Sequence, residues 1–186
     1  LDEAESPEVT RFLRAVDVRI DGFRVEKSPE WRGQRVFVRH EVDGKGYELR
    51  LSEESAGTQK LIGLAAYLMT ALERGSTVVV DELDAKLHPK LLRYVILLFK
   101  DPAVNKNGAQ LIFSSQDVST MRNDVFRRDE IWFAARGEGE ASQLWSLADI
   151  HEANGNLVSK NAAFDKQYLS GRYGADPYLT RIEEWD

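Results

Sequence analysis

The sequence predicts an α/β fold with a mainly parallel sheet flanked by helices and an antiparallel hairpin near the N-terminus. Residues 77–115 read as strand, helix and strand, a unit whose strands pair in parallel through a right-handed crossover. Residues 58–74 carry apolar side chains at helical spacing. Residues 35–51 form two alternating runs around Asp43-Gly44, a pair that suits turn positions with positive φ. Together these patterns define the fold class.

Composition bounds the kinds of function that the chain can have. Its 186 residues are 42% hydrophobic and 30% charged, as expected for a single globular domain over 1–186. The net charge of −6 excludes a global basic field, although not a local basic patch. The absence of cysteine excludes disulfides and thiolate metal sites, and favours an intracellular, cytoplasmic protein. The longest apolar run, 61–72, is too short to span a membrane.

The N-terminal third is predicted to be mostly antiparallel. Residues 1–9 are acidic and contain a proline, so they are expected to be a disordered start or the end of a linker. A short helix is predicted around Phe12 and Val16, followed by a strand over 18–25. In the hairpin over 35–51, His40 is expected to face solvent.

The middle of the chain carries the parallel unit. A deeply packed helix is predicted from Thr58 to Arg74, with Gly75 as its stop signal. The next strand, 77–80, is made of β-branched residues, a composition typical of strands buried on both faces. Pro89 suits the first turn of the following helix, and another buried strand is predicted over 109–115.

The C-terminal third is predicted to be a smaller mixed region. Asp117 is a suitable N-cap for a short helix over 117–121. Residues 131–135 and 143–147 are predicted to pair around a Gly-Glu-Gly-Glu turn, and a helix is expected over 162–169.

Two adjacent carboxylates, Asp81 and Glu82, follow the β-branched strand without a spacer. Unpaired charge at the end of a buried strand is costly, so a bound metal with an activated water is the commonest explanation. Because ligands bind at the carboxyl ends of parallel strands, Gln116 is expected at the same edge.

Upstream of these carboxylates, small residues precede the helix predicted from Thr58. The turn Ser55-Ala56-Gly57 could present backbone N–H groups and the positive end of the helix dipole to a phosphate. The alternative is a plain N-cap by Ser55 that serves folding only.

These segments resemble motifs of ABC-type ATPases. The strand ending in Asp81-Glu82 resembles a Walker B motif, in which the Asp holds Mg²⁺ and the Glu polarises the attacking water. Ser55, Ala56, Gly57 and Thr58 match the Ser-Gly-Gly-Gln core of the signature motif, and Gln59 follows them. Gln116 stands where that class carries a switch histidine; glutamine can bond a γ-phosphate or orient a water but cannot become positively charged.

In combination the motifs are similar to a bacterial family of ABC/SMC-like AAA ATPases within the P-loop NTPase superfamily, several members of which serve in phage defence. The resemblance extends over residues 10–180 and is carried by Glu54-Ser55-x-Gly57-Thr58-Gln59, Asp81-Glu82-Leu83-Asp84-x-x-Leu87-His88-Pro89, Gln110-Leu111-Ile112-Phe113, Arg127-Arg128-Asp129-x-Ile131-Trp132-Phe133 and Tyr168-Leu169-x-Gly171-Arg172-Tyr173-Gly174-Ala175. It implies an ABC/SMC-head-like lobe that uses ATP and Mg²⁺.

The same resemblance implies a dimer. The segment made of Asp84, Ala85, Lys86, Leu87 and His88 corresponds to the D-loop, which crosses a dimer interface, so His88 is expected at an interface or a helix start. Arg127 and Arg128 could be solvated or contact a partner, and the turn 171–174 could be purely structural. No Gly-x-x-x-x-Gly-Lys-Ser/Thr loop occurs, so the chain is expected to be the C-terminal lobe of a longer ATPase.

Three functions are compatible with these residues. The first is ATP binding and hydrolysis in which the homodimer sandwiches ATP between its heads and gates a partner activity, on an effector protein or nucleic acid. The second is a non-hydrolysing nucleotide sensor, motivated by Gln116. The third is a metal-dependent nuclease that uses Asp81, Glu82 and Asp84. Without its phosphate-binding loop, the chain alone is expected to be inactive.

Overall fold

The structure, a computed structural model, describes residues 7–16, 20–27, 34–136 and 141–175. The chain divides into two compact units, Leu1–Gln116 and Asp117–Asp186. The elements confirm the α/β class, with one parallel and two antiparallel sheets among the described residues. None of the helices in these ranges combines the length and apolarity needed to cross a bilayer.

The first unit begins with helix α1, Pro7–Ala15, which buries Val9, Phe12 and Leu13. The helix takes in residues 7–9 of the predicted linker end, whereas residues 1–6 lie outside the described residues. The ring of Phe12 stacks on Tyr94 with their centroids 6.4 Å apart. Helix α1 is therefore part of the packed core of this unit.

A three-stranded antiparallel sheet follows, with β1 (Gly22–Lys27), β2 (Gln34–Val42) and β3 (Lys45–Arg50) in that order. The predicted hairpin is confirmed: Asp43 and Gly44 form a two-residue turn, both with positive φ, and Val42 pairs with Lys45. Such a turn matches the twist of the strands that it joins. The predicted strand over 18–25 is β1, which begins at Gly22; residues 17–19 lie outside the described residues.

The parallel unit is built from α2 (Ala56–Arg74), β4 (Thr77–Val80), α3 (Pro89–Lys100) and β5 (Gln110–Phe113). The two strands pair in parallel with Val79 opposite Ile112, as predicted. Helix α2 ends at Gly75, whose φ is 67°; a Cβ there would lie 2.2 Å from the carbonyl oxygen of Asn107. Gly75 is thus required both by the left-handed cap and by the neighbouring loop.

The prediction that the strand over 77–80 is buried on both faces is wrong for this chain. Val80 is buried, but the side chain of Val79 is 72% exposed and that of its partner Ile112 is 56% exposed. Helices α2 and α3 contact the sheet, and successive strand residues point to opposite faces. One face is therefore covered and the other, carrying Val79 and Ile112, is open.

The second unit contains a hairpin of β6 (Trp132–Arg136) and β7 (Ser142–Ser146), and helix α4 (Phe164–Leu169). The predicted strand pair is confirmed, while its Gly-Glu-Gly-Glu turn at 137–140 lies outside the described residues. The core of the unit is made of apolar and aromatic residues: Ile131, Phe133, Leu147, Val158, Phe164 and Tyr173.

The helix predicted over 117–121 is not formed. Asp117 instead accepts hydrogen bonds from the backbone N–H of Ser119, at 2.6 Å, and from its hydroxyl, at 2.9 Å. A local bond of this kind closes a turn and competes with helix formation.

Candidate functional site

The carboxylates Asp81 and Glu82 lie in the turn that directly follows β4, and both are exposed. The prediction that they follow the end of a strand is confirmed. The cost of burying unpaired charge does not apply to them, because both side chains are exposed. Because β5 runs parallel to β4, its following residue Ser114 reaches the same edge. This edge brings together side chains separated by more than thirty residues.

Ser114 fixes both carboxylate residues. Its hydroxyl donates to Oδ1 of Asp81 and accepts from the backbone N–H of Glu82 at 2.8 Å. Its carbonyl oxygen accepts from the N–H of Leu83 at 3.0 Å. Oδ2 of Asp81 accepts no hydrogen bond from the described part of the chain, so one oxygen remains available to a metal. A single available carboxylate oxygen suits Mg²⁺, which binds few protein ligands and keeps several waters.

The turn itself has an unusual backbone. Glu82 and Lys86 have φ values of 47° and 65°, although neither is glycine. Residues of this kind carry conformational strain that the surrounding structure must offset, and they cluster at functional sites. Here Leu83, fully buried, and Leu87, 9% exposed, anchor the turn in the core.

Asp84 connects this turn to the segment after β5. Its Oδ2 accepts from the backbone N–H of Gln116 at 3.2 Å, while its Oδ1 is buried without a hydrogen-bond partner among the described residues. Gln116 is thereby held beside the carboxylate turn, with its side chain exposed. Gln116 thus follows β5 at the edge of the sheet where Asp81 and Glu82 follow β4, as predicted, and the residue that it contacts there is Asp84.

The remaining residues of the predicted D-loop have distinct environments. Ala85 is half-buried, Lys86 is exposed and Leu87 is buried. His88 is the N-cap of α3, and its Nδ1 accepts from the N–H of Lys90 at 3.1 Å. His88 therefore has the helix-start role, one of the two that the resemblance implies beside an interface role.

The segment Ser55–Gln59 forms the start of α2. Ser55 is the N-cap, and its Oγ accepts from the N–H of Thr58 at 3.1 Å. The first N–H groups of a helix, here those of Ala56 and Gly57, have no partner within the helix. The capping role weighed for Ser55 is therefore observed, and it coexists with N–H donors at an exposed helix start.

Two further contacts shape this segment. The side-chain amide of Gln59 donates to the carbonyl of Glu54 at 2.8 Å, and this hydrogen bond joins the two ends of the segment 54–59. Nε2 of His40 and Oε1 of Glu54 are 2.6 Å apart, and the two side chains are only 18% and 9% exposed. The expectation that His40 faces solvent is therefore wrong, because it pairs with the residue before Ser55. Nothing in the alternating strand pattern distinguishes such a partner.

The start of α2 lies against the carboxylate turn. Nζ of Lys60 donates to the carbonyl oxygen of Glu82. A Cβ added to Gly57 would lie only 2.7 Å from the carbonyl oxygen of Lys86, closer than real Cβ atoms approach. The two segments singled out separately in the sequence, 55–59 and 81–88, thus form one continuous region.

The acidic residues do not by themselves form a metal cluster. Within the described ranges there is no group of three or more His, Cys, Asp or Glu side chains that could hold a metal ion. The set Asp81, Glu82 and Asp84 of the nuclease hypothesis is therefore not assembled around one point. The available oxygen of Asp81 still fits a metal whose other ligands are water or phosphate.

The predicted residues of the second unit have structural partners. Arg127 pairs with Asp129 at 2.8 Å and with Glu130 at 3.0 Å, and Arg128 donates to the carbonyl of Val158. The hydrogen bonds that Arg127 donates to the carboxylate of Asp129 raise the pKa of Arg127 above its usual value. Both arginines therefore have structural partners within the second unit.

In the turn 171–174, Tyr173 is buried and its hydroxyl donates to Oε1 of Gln167 at 2.7 Å. Burial raises the pKa of Tyr173 to about 12. Its carbonyl accepts from the indole N–H of Trp145 at 3.2 Å. The turn therefore closes the aromatic core of the unit, in agreement with the structural interpretation of this segment.

Comparison with known proteins gives a family and a fold. A family model described as "AAA domain, putative AbiEii toxin, Type IV TA system" matches residues 4–122. No curated protein matches the chain. A solved structure from work on ATP-driven dimerization and DNA-stimulated activation of SMC ATPases is 18% identical, with a TM-score of 0.54 over 77% of this chain and 83% of that one. At this identity the structural match establishes the fold alone.

Proposed function

The chain belongs to the AAA-domain family of that model, and on this premise we propose that it is the signature and Walker B half of an ATP-hydrolysing head. Asp81 would hold Mg²⁺, Glu82 would activate the attacking water and Gln116 would orient the water or the γ-phosphate. The observation that carries the proposal is the Ser114 bridge, which aligns Asp81 and Glu82 at the carboxyl edge of parallel strands. Ligands bind at this edge in α/β sheets.

The start of α2 has the complementary role in this proposal. Ser55–Gln59 would contact the nucleotide held by a second copy, using the N–H groups of Ala56 and Gly57 at the positive end of the helix dipole. When bound, Mg²⁺-ATP would hold the two heads together and would supply the phosphoanhydride bond whose hydrolysis lets them separate. The 186 residues contain no phosphate-binding loop, and in this proposal another part of the ATPase supplies it.

The first test uses the full-length protein that joins this chain to a phosphate-binding loop. Glu82→Gln should lower the kcat of ATP hydrolysis by at least about a hundredfold, because a general base is lost. It should also accumulate an ATP-bound dimer in sizing experiments. The exposed Glu73→Gln is the matched control and should retain activity. Unchanged turnover in Glu82→Gln would refute the assignment of the base.

The second test asks whether the signature acts across a dimer. Ser55→Arg and Glu82→Gln should each be inactive alone. When mixed, they form heterodimers in which one of the two sites is intact, so about a quarter of the wild-type turnover should return. If the signature served its own subunit, mixing would restore no turnover.

The chain of 186 residues alone should hydrolyse no ATP.

A second candidate is a nucleotide sensor that binds ATP without hydrolysing it. It rests on Gln116, which cannot take the positive charge of a switch histidine. The full-length wild-type protein would then form a stable ATP-bound dimer and release no phosphate. Gln116→His should raise turnover in that case, whereas in a true ATPase it should change turnover little.

The partner activity gated by the heads is also part of the proposal. The family description names a toxin, which favours a defence effector as the partner. The solved structure comes from work on DNA-stimulated ATPases, which favours nucleic acid. The ATPase rate of the full-length protein with and without duplex DNA separates these two. A rise at low salt that disappears at high salt would indicate contacts to the DNA backbone.

A further inference from the structure

The carbonyl of Glu82 receives two hydrogen bonds. One comes from the N–H of Ala85 at 3.0 Å, within the turn, and the other comes from Nζ of Lys60, on the second turn of α2. The N–H of Glu82 is bound as well, to Oγ of Ser114. Both peptide groups that flank the Cα of Glu82 are therefore fixed from outside the residue.

The contact from Lys60 is specific to this carbonyl. Lys60 is half-buried and forms no ion pair within the described ranges, and its side chain makes no other hydrogen bond there. The hydrogen bond is solvent-exposed, and its donor is a charged ammonium group. It is therefore charge-assisted and stronger than a bond between two neutral groups.

This bond falls where the backbone is strained. The φ of Glu82 is 47°, a conformation that a residue with a side chain adopts only when neighbours hold it. The direction of the Glu82 side chain depends on that φ. A contact that stabilises the left-handed conformation therefore also orients the carboxylate.

We propose that Lys60 is a positioning residue: its bond to the Glu82 carbonyl holds the strained turn and keeps the Glu82 carboxylate oriented for the reaction. The effect on catalysis rests on the proposed function. Because Lys60 is five residues after Ser55 on the same helix, the contact also links the signature segment to the carboxylate turn of the same subunit.

The structural part of the test is hydrogen exchange on the nucleotide-free full-length protein. In Lys60→Met the amide of Ala85 should exchange about threefold faster, since the turn opens more often. Lys60→Arg keeps a cationic donor and should retain protection. Lys106→Met, which removes an exposed lysine from a loop, is the matched control and should leave this amide unchanged.

The catalytic part compares the same variants as ATPases. Lys60→Met should lower kcat about tenfold with little change in the KM for ATP, because a misplaced base affects the reaction and not the binding. Lys60→Arg should keep most of the activity. If Lys60→Met matches Lys106→Met in both exchange and kcat, Lys60 has no positioning role. A loss of kcat with unchanged exchange would also overturn the proposal, since the lysine would then act on the nucleotide directly.

The two proposals fail in different ways. If Glu82→Gln retains full turnover, the proposed role of Glu82 fails, and faster exchange in Lys60→Met still shows that Lys60 holds the turn. If Glu82→Gln is inactive and Lys60→Met is fully active, the proposed function survives and the positioning role is excluded.

Discussion

Ser114 is the residue on which the arrangement of both carboxylates depends. It gives its hydroxyl proton to Asp81 and receives the N–H of Glu82, so one side chain sets the position of a candidate metal ligand and of a candidate base. Neither carboxylate is held by burial, because both are exposed. Hydrogen bonds therefore orient the two carboxylate residues, while the buried side chains of Leu83 and Leu87 anchor the turn that carries them.

Replacing Ser114 tests this dependence. Ser114→Ala should lower the kcat of the full-length ATPase about tenfold and the free energy of unfolding by about 1 kcal/mol, the net worth of a typical hydrogen bond. Ser114→Thr keeps the hydroxyl and should recover most of the activity. The exposed Ser76, which among the described residues uses only its backbone for hydrogen bonds, provides the control Ser76→Ala. Equal kcat in Ser114→Ala and Ser76→Ala would contradict the assignment.

The sequence identifies the carboxylates but not the residues that orient them. Asp81 and Glu82 are found because charge follows an apolar strand directly, a local pattern. Ser114 lies 33 residues from Asp81, and Lys60 lies 22 residues from Glu82. Their roles depend on the packing of α2 and β5 beside the turn. No spacing rule relates a lysine on a helix to the carbonyl of a distant turn.

At the scale of elements, α2 and the turn after β4 approach closely at Gly57. The helix positions the signature segment, and its second residue has no room for a side chain because the carbonyl of Lys86 lies in that place. Six residues later, Gly63 lies on the exposed face of the same helix with no atom within 4 Å of its would-be Cβ. The two glycines provide a controlled comparison within one element.

The expected effects of alanine at these positions have opposite signs. Gly63→Ala should raise the free energy of unfolding by about 0.5–1 kcal/mol, the usual gain in helix propensity. Gly57→Ala should lower it by about 1–3 kcal/mol, because the new methyl group displaces the backbone of the turn. Urea denaturation of both variants measures the difference. Stabilisation by both substitutions would show that α2 and the turn are not in close contact.

Element prediction from the sequence succeeded where local chemistry decides the outcome. The hairpin follows from Asp43-Gly44, the end of α2 from Gly75 and the start of α3 from Pro89. It failed over 117–121, where Asp117 binds Ser119 and closes a turn instead of capping a helix. An aspartate before a mixed sequence supports both outcomes, and the choice depends on whether an apolar face is available for the helix to bury.

At the scale of the whole molecule, the open face of the parallel sheet is the feature least expected from the sequence. Thr77 and Val79 on β4 and Gln110 and Ile112 on β5 point to this face, and all four are exposed. Parallel sheets occur almost only with both faces covered. The β-branched strand thus has the composition of a buried element and, among the described residues, the exposure of a surface.

The exposed apolar residues on this face lead to a measurable prediction for the chain of 186 residues in isolation. Exposed apolar side chains on a sheet promote dye binding and self-association. Val79→Thr combined with Ile112→Thr should reduce the fluorescence of a bound hydrophobic dye about twofold or more, and should delay aggregation on heating. Threonine keeps the β-branch, so the strands themselves should form as before.

The control for this prediction is Val104→Thr, which replaces another exposed valine, 42% accessible, in a loop. It removes the same kind of methyl group from a position with no apolar neighbour across a strand, and dye binding should stay unchanged. If the double variant and the control behave alike, the open face is not the apolar surface that dominates the behaviour of the chain. If only the double variant improves, this face is the surface that a further layer of protein would have to cover.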